Sequence, residues 1–228
     1  IFLAILGNSI FAQTPPNFVF VVLDDQGWTG TSVQMDVSIE DSKSDFYITA
    51  SLESLALKGM TFSQGYAPAP KCSPSRASIL TGKSPARNNF TNTDNNIATG
   101  KILIEPIIKT TLDGNEITYA EWLKSAGLNY RTAHYGKWHQ GNNIASSPAS
   151  NGFDFSDGST GNNDGNQGGL VQTDPKKILE LTNKSIQFIK DAVTDGVPFA
   201  LQLSHYAVHT DIEAKQETIN LYNDVSQR

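Results

Sequence analysis

The chain has 228 residues, with 17 Lys and Arg against 23 Asp and Glu, and a formal net charge of −6. That length can bury a sizeable core in one domain or in part of a larger one, and 38% apolar residues exclude a disordered chain. The acidic balance argues against nucleic acid as a partner, since phosphate binding needs a basic face, but not against a small anion held by a local cluster of cations.

Residues 1–12 open on the apolar run Ile1 to Leu6 and close on Ile10-Phe11-Ala12. This reads as the apolar part of a signal peptide, with a buried N-terminal strand as the alternative, and predicts an exported protein, periplasmic or extracellular. The remainder, 13–228, reads as one domain or part of a larger one. No later stretch is apolar for the ~18 residues of a membrane span.

Asn17 to Leu23 is a continuous apolar run and predicts a strand covered on both faces, as in a parallel sheet. It ends in Asp24-Asp25. Two carboxylates outside the carboxyl end of a strand are candidates for a cation site, and equally for a turn or helix cap. Thr49 is positioned to cap a helix over Ala50 to Lys58, with Gly59 as its stop. Met60 to Ser63 predicts a short strand. Ser73-Pro74 opens a helix that stops near Gly82.

Ile102 to Ile108 is compatible with a strand or a loop edge. Thr118 and Glu121 form a capping box for a helix ending at Gly127. Leu128 to Tyr135 predicts a strand running into Gly136-Lys137-Trp138-His139. Residues 151–169, rich in Gly, Asn and Asp, predict a long loop. A helix is expected from Asp174-Pro175 to about Ala192, and an apolar strand from Pro198 to Leu203. Strands alternating with helices indicate an α/β fold with a mainly parallel sheet flanked by helices.

Cys72 is the single cysteine, so no intrachain disulfide can form. It sits at a helix N-terminus, where free N–H groups and the helix dipole favour an anion, with Arg76 one turn on. A Cys-phosphatase loop also joins Cys and Arg around an oxyanion, but needs about five intervening residues; here three lie between Cys72 and Arg76.

Cys72-Ser73-Pro74-Ser75-Arg76, followed by Ala77-Ser78-Ile79-Leu80-Thr81-Gly82-Lys83, resembles the signature of the type I, formylglycine-dependent sulfatases of the alkaline-phosphatase-like superfamily. The likeness continues in Asn17 to Asp25, in Gly136-Lys137-Trp138-His139, in Gly152-Phe153-Asp154 and in Ala207-Val208-His209-Thr210. The resemblance implies that Cys72 is oxidised to formylglycine by a separate maturation enzyme. It implies a divalent cation, calcium or else magnesium, held by Asp24, Asp25 and the residue at 72. The formylglycine hydrate would supply the hydroxyl that attacks sulfur, and deprotonation of its second hydroxyl would expel sulfate. Arg76 would hold the hydrate, Lys137 the sulfate oxygens, His139 would be the base, and His209 would assist the leaving oxygen. The implied substrate is a sulfated small molecule or glycan.

Lys137 and His139 alone would also suit a solvated loop. His134 and His205 match no position in the family pattern and are expected to pack or to end strands; Trp138 is expected to pack. Asp211 stands where the family usually has Pro. The family's downstream Asp-Asn metal ligands and second Lys have no counterpart before Arg228, so the chain is expected to be an N-terminal portion, inactive alone. The alternatives are a phosphomonoester or phosphonate ester hydrolase of the same superfamily, and a non-enzymatic binding protein that keeps Cys72 as a thiol.

Overall fold

The computed structural model describes residues 14–94, 102 and 106–223. The expected targeting segment, 1–12, lies outside them, as do 103–105 of the undecided Ile102 to Ile108 stretch. Four strands form one sheet in the order β1-β4-β2-β3, and every neighbouring pair is parallel: β1 (Phe18–Val22), β2 (Arg131–Gly136), β3 (Phe155–Ser156) and β4 (Phe199–Ser204). Parallel neighbours need crossovers, and here these carry helices. They are α1 (Ala50–Ala56), α2 (Cys72–Thr81), α3 (Pro85–Asn88), α4 (Tyr119–Ser125) and α5 (Ile178–Thr194); α6 (Gln216–Asn223) follows β4.

Side-chain alternation assigns the two faces of the sheet. Ala133 and Leu201 are register partners and pack with Phe199 against Phe188 and Ala192 of α5. The next residues along, His134 and Gln202, point the other way. His134 lies edge-on to Trp138 and Phe153, which share a core with Ala77 and Leu80 of α2 and Ala120 of α4. The fold is therefore α/β, a parallel sheet flanked by helices.

Every residue of β4 is buried, because it is an inner strand with cover on both faces. The expectation that β1 is covered likewise is corrected: among the described residues it is an edge strand paired to β4 alone, and Val19, Phe20 and Val21 are exposed. A continuous apolar run does not distinguish an inner strand from an edge strand, since both need apolar residues on the faces that are covered. Met60 to Ser63 is not a strand; Met60 and Phe62 are exposed. Thr49 does not cap α1, because its hydroxyl is engaged with Ser32. The capping box at α4 is present, Thr118 Oγ1 accepting from Glu121 N and Glu121 Oε2 accepting from Thr118 N. α2 begins one residue earlier than expected, at Cys72, and stops at Gly82 in the left-handed conformation. The long loop holds the two-residue β3.

Candidate active site

Because β1, β2 and β4 are parallel, their carboxyl ends meet at one edge of the sheet. Asp24 follows β1, Lys137 and His139 follow β2, and His209 follows β4. The crossings are close. Gly136 has φ 90°, and a Cβ there would lie 2.0 Å from Ser204 O, so only glycine lets the chain leave β2 and place Lys137 N in a 2.8 Å bond to that same oxygen. Gly152 is under a similar constraint, with Glu121 N 2.6 Å from its would-be Cβ. Its neighbours in the Gly-Phe-Asp segment are structural: Phe153 is core, and Asp154 accepts from the backbone and hydroxyl of Thr132 and pairs with Lys124.

Asp24 is the hub of the site. Its Oδ2 pairs with Lys137 Nζ, and its Oδ1 lies 3.3 Å from Arg76 Nη2. All three residues are buried. Burial raises the Asp24 pKa, but the hydrogen bond from Lys137 and the charges of Arg76 and Lys137 outweigh it, so the carboxyl stays below its ordinary value. Arg76 Nη1 also donates to Lys137 O at 2.6 Å, whereas Arg76 Nε is buried without a hydrogen-bond partner among the described residues. Buried guanidinium N–H groups left without a partner are ready to take an oxyanion.

Cys72 Sγ lies 3.2 Å from His139 Nδ1. Burial, then the charges of Lys137 and Arg76, lower the His139 pKa to about 4. His139 has φ 55° and is held by its N–H to Thr160 O, 2.8 Å. Asp25, with φ 60°, turns away from Asp24 toward His209, whose Nε2 is 3.8 Å from Asp25 Oδ2. His209 Nδ1 donates to Thr210 O at 2.6 Å.

Asp24, Asp25, Cys72 and Arg76 line one cavity of ≈ 560 Å³. Lys137, His139 and His209 do not line it; they join the others through Asp24, Cys72 and Asp25 respectively. Two further residues support the site and were not singled out by motif. Gln140 Nε2 donates to Ser73 O at 2.9 Å, tying the His139 segment to the start of α2, and Thr160 bonds both Trp138 N and Gly136 O through its hydroxyl. Gln140 is adjacent to a motif and could have been suspected; nothing in the spacing marks Thr160. His134 and Trp138 are buried packing residues, and burial, with Arg76 adding to it, lowers the His134 pKa to about 3.

As to a cation, Asp24 and Asp25 provide oxygen chemistry suited to a hard ion. Among the described residues no group of three or more His, Cys, Asp and Glu forms a ready-made metal cluster. Asp24 is neutralised by Arg76 and Lys137, so the two carboxylates fit as part of a cation site and not as the whole of one.

The protein-family model described as Sulfatase matches residues 16–228. N-acetylgalactosamine-6-sulfatase of Mus musculus is 36% identical over 143 residues, 63% of this chain and 25% of that enzyme. Arylsulfatase G of Canis lupus familiaris is 38% identical over 140 residues, 61% of this chain and 22% of that one. The chain thus matches about a quarter of the length of these curated relatives. Among solved structures, Ps i-CgsB in complex with k-i-k-neocarrahexaose has a TM-score of 0.69 at 22% identity, over 93% of this chain and 49% of that one. BT4656 in complex with D-glucosamine-2-N,6-O-disulfate has a TM-score of 0.64 at 24% identity, over 92% and 38%. These two show likeness of fold. With the family match spanning nearly the whole chain, this protein belongs to the sulfatase family.

Proposed function

We propose that the protein hydrolyses a sulfate ester, and that Cys72, converted to formylglycine, is its nucleophilic position. The observation that carries this reading is the meeting of Cys72, His139, Arg76, Lys137 and Asp24 from three separate segments at the carboxyl edge of the sheet. Bound at that edge, formylglycine with a divalent cation, calcium or magnesium, would supply an oxygen nucleophile for attack on sulfur. Asp24, Asp25 and the residue at 72 would hold the cation.

The remaining roles belong to side chains already in place. Arg76 keeps one buried nitrogen, Nε, without a partner among the described residues and would turn it to an oxyanion, and Lys137 offers positive charge for the sulfate oxygens. His139 Nδ1 stands within reach of the side chain at 72 and would take its proton. His209, with Nδ1–H given to Thr210 O, turns Nε2 toward Asp25 and would serve the leaving oxygen from there.

The substrate class is a carbohydrate sulfate. Support comes from relatives named for N-acetylgalactosamine-6-sulfate, and from a groove of ≈ 850 Å³ that shares Asp25 with the first cavity and is lined by Phe46, Tyr47 and Tyr222, since aromatic rings suit sugar faces. The leading segment 1–12 supports export, and among the described residues no helix is long and apolar enough to cross a membrane.

Mass spectrometry of the peptide carrying Cys72, from protein made with a maturation system, tests the reading. A loss of about 18 Da relative to cysteine, or none once hydrated, is expected, together with release of sulfate from sulfated saccharides in a parallel assay. An unmodified thiol in an active enzyme, or turnover of phosphate esters alone, would sink it.

A further inference from the structure

The groove of ≈ 850 Å³ that begins at Asp25 differs in chemistry from the cavity that holds Cys72. Asp25, Gln26 and Gly27 line both, so the two openings meet across the turn that follows β1. The cavity is lined by Cys72, Lys71 and Arg76. The groove is walled by the stretch 46–49, by α6 and by residues that follow β4.

Phe46, Tyr47 and Tyr222 form one ring cluster in that wall. Their centroids are 5.1 Å apart for Phe46 and Tyr222, 5.4 Å for Phe46 and Tyr47, and 6.2 Å for Tyr47 and Tyr222. The Tyr222 hydroxyl accepts from Ile48 N at 2.9 Å, which ties α6 to the same stretch. Tyr47 is nevertheless 50% exposed, and Val208 and Ile212 extend the lining as exposed apolar side chains. A ring packed in place but open on part of its surface offers an apolar body to a partner without further ordering. The C–H face of a sugar ring is such a partner.

Charge says which sugar. Among the described residues that line the groove are two acids, Asp25 and Glu213, and no Lys, Arg or His. Glu213 accepts from the backbone N–H groups of Lys176, Gln167 and Gly168. Burial raises its pKa, but those bonds and the charge of Lys176 outweigh it, and the carboxyl stays ionised. Three backbone donors do not exhaust the acceptor sites of a carboxylate, so a sugar hydroxyl can still donate to it. A sulfate or carboxylate placed here would meet like charge with no lining cation to offset it.

We infer that this groove is the subsite for the sugar joined to the sulfated one, and that it selects an uncharged sugar, its apolar face on Tyr47 and a hydroxyl toward Glu213. This rests on the carbohydrate sulfate reading given above. The step is binding alone, with no bond made or broken.

The test uses full-length protein carrying formylglycine. Its substrates are 6-sulfated galactose and 6-sulfated N-acetylglucosamine, each as the monosaccharide, joined to a neutral hexose, and joined to a uronic acid, on the reducing and the non-reducing side in turn. A neutral neighbour should raise kcat/KM about tenfold over the monosaccharide, and a uronic acid should not. Tyr47→Ala should remove most of that preference, and Tyr47→Phe, which keeps the ring, should retain it. Thr218→Lys, which sets a cation on the same wall, should raise kcat/KM for the uronic disaccharide about tenfold relative to the neutral one. Both positions are exposed, so melting temperatures should barely move. Equal kcat/KM for the monosaccharide and the neutral disaccharides overturns the inference, as does a preference that survives Tyr47→Ala or a uronic neighbour preferred by the parent. A parent that hydrolyses none of these sugars defeats the proposed activity and not the subsite. Calorimetry with the unsulfated neutral disaccharides then decides: binding that Tyr47→Ala weakens about tenfold upholds the subsite, and no binding by the parent overturns it.

Discussion

The two acidic residues that follow β1 live in different environments. Asp24 is buried, with one carboxylate oxygen toward Lys137 and the other toward Arg76. The Asp25 side chain, one residue on, is 62% exposed and, among the described residues, meets the imidazole of His209, at 3.8 Å. Adjacent residues of identical charge therefore do unequal work: one neutralises buried cations and so belongs to the fold as well as to the site, while the other is free to respond to a ligand. A left-handed turn at Asp25 makes this division possible, and Asp tolerates that conformation better than most residues.

The largest expected effect is on turnover, with little change in stability. Cys72→Ala in the full-length protein should lower sulfate ester turnover on the order of 10⁴-fold or more, with a change in unfolding free energy within about 1 kcal/mol. Substantial sulfatase activity in that variant would defeat the chemistry assigned to position 72.

Next comes the comparison itself. Asp24→Asn leaves Arg76 and Lys137 buried without their counter-charge, and should destabilise the fold by about 3–5 kcal/mol. Asp25→Asn should change stability by about 0.5 kcal/mol or less, as for other exposed sites. Urea unfolding of the two variants side by side measures both. Equal effects would show that the buried and open carboxylates are not the distinct groups described.

Acid lability sharpens the contrast between buried and open groups. His134 is held neutral in the fold, its pKa lowered to about 3 by burial and by Arg76, against about 6.5 in an unfolded chain. Between those values the unfolded state binds the extra proton and the folded state does not. Stability from this group is thus full above about pH 6.5 and falls as pH falls toward 3, by an amount on the order of a few kcal/mol. His134→Gln should flatten that part of the stability–pH curve; an unchanged slope would remove His134 from the account.

The smallest effect belongs to the open side. His209→Ala removes a half-open contact to Asp25 and should cost about 0.5–1 kcal/mol or less of stability, while lowering kcat through the leaving oxygen. A loss confined to KM would move His209 from assisting departure to binding.

Much of this molecule was legible in the sequence. The strand–helix alternation, the capping box of Thr118 and Glu121, and the stop at Gly82 are local, set by capping and by glycine's access to the left-handed region, and the structure has them where expected. The motifs around Cys72, Lys137 and Asp24 were visible as residue types. Legible too, but misread, was Phe18–Val22: its apolar run promised cover on both faces, and it became an edge strand. Strand order depends on which crossovers pack where, and nothing local to a strand records that.

What the sequence by itself determined was composition, element types and the identity of the groups able to do chemistry. Only the tertiary structure decided that Asp24 would be caged by Arg76 and Lys137 while Asp25 stayed open. It also set Gln140 against the start of α2, made Thr160 the support of His139, and buried Lys176 with its ammonium on Asn166. The reason is physical. Burial, and the charges a group meets, are properties of distant segments brought together at the sheet edge, and a residue's own neighbours in the chain carry no record of them.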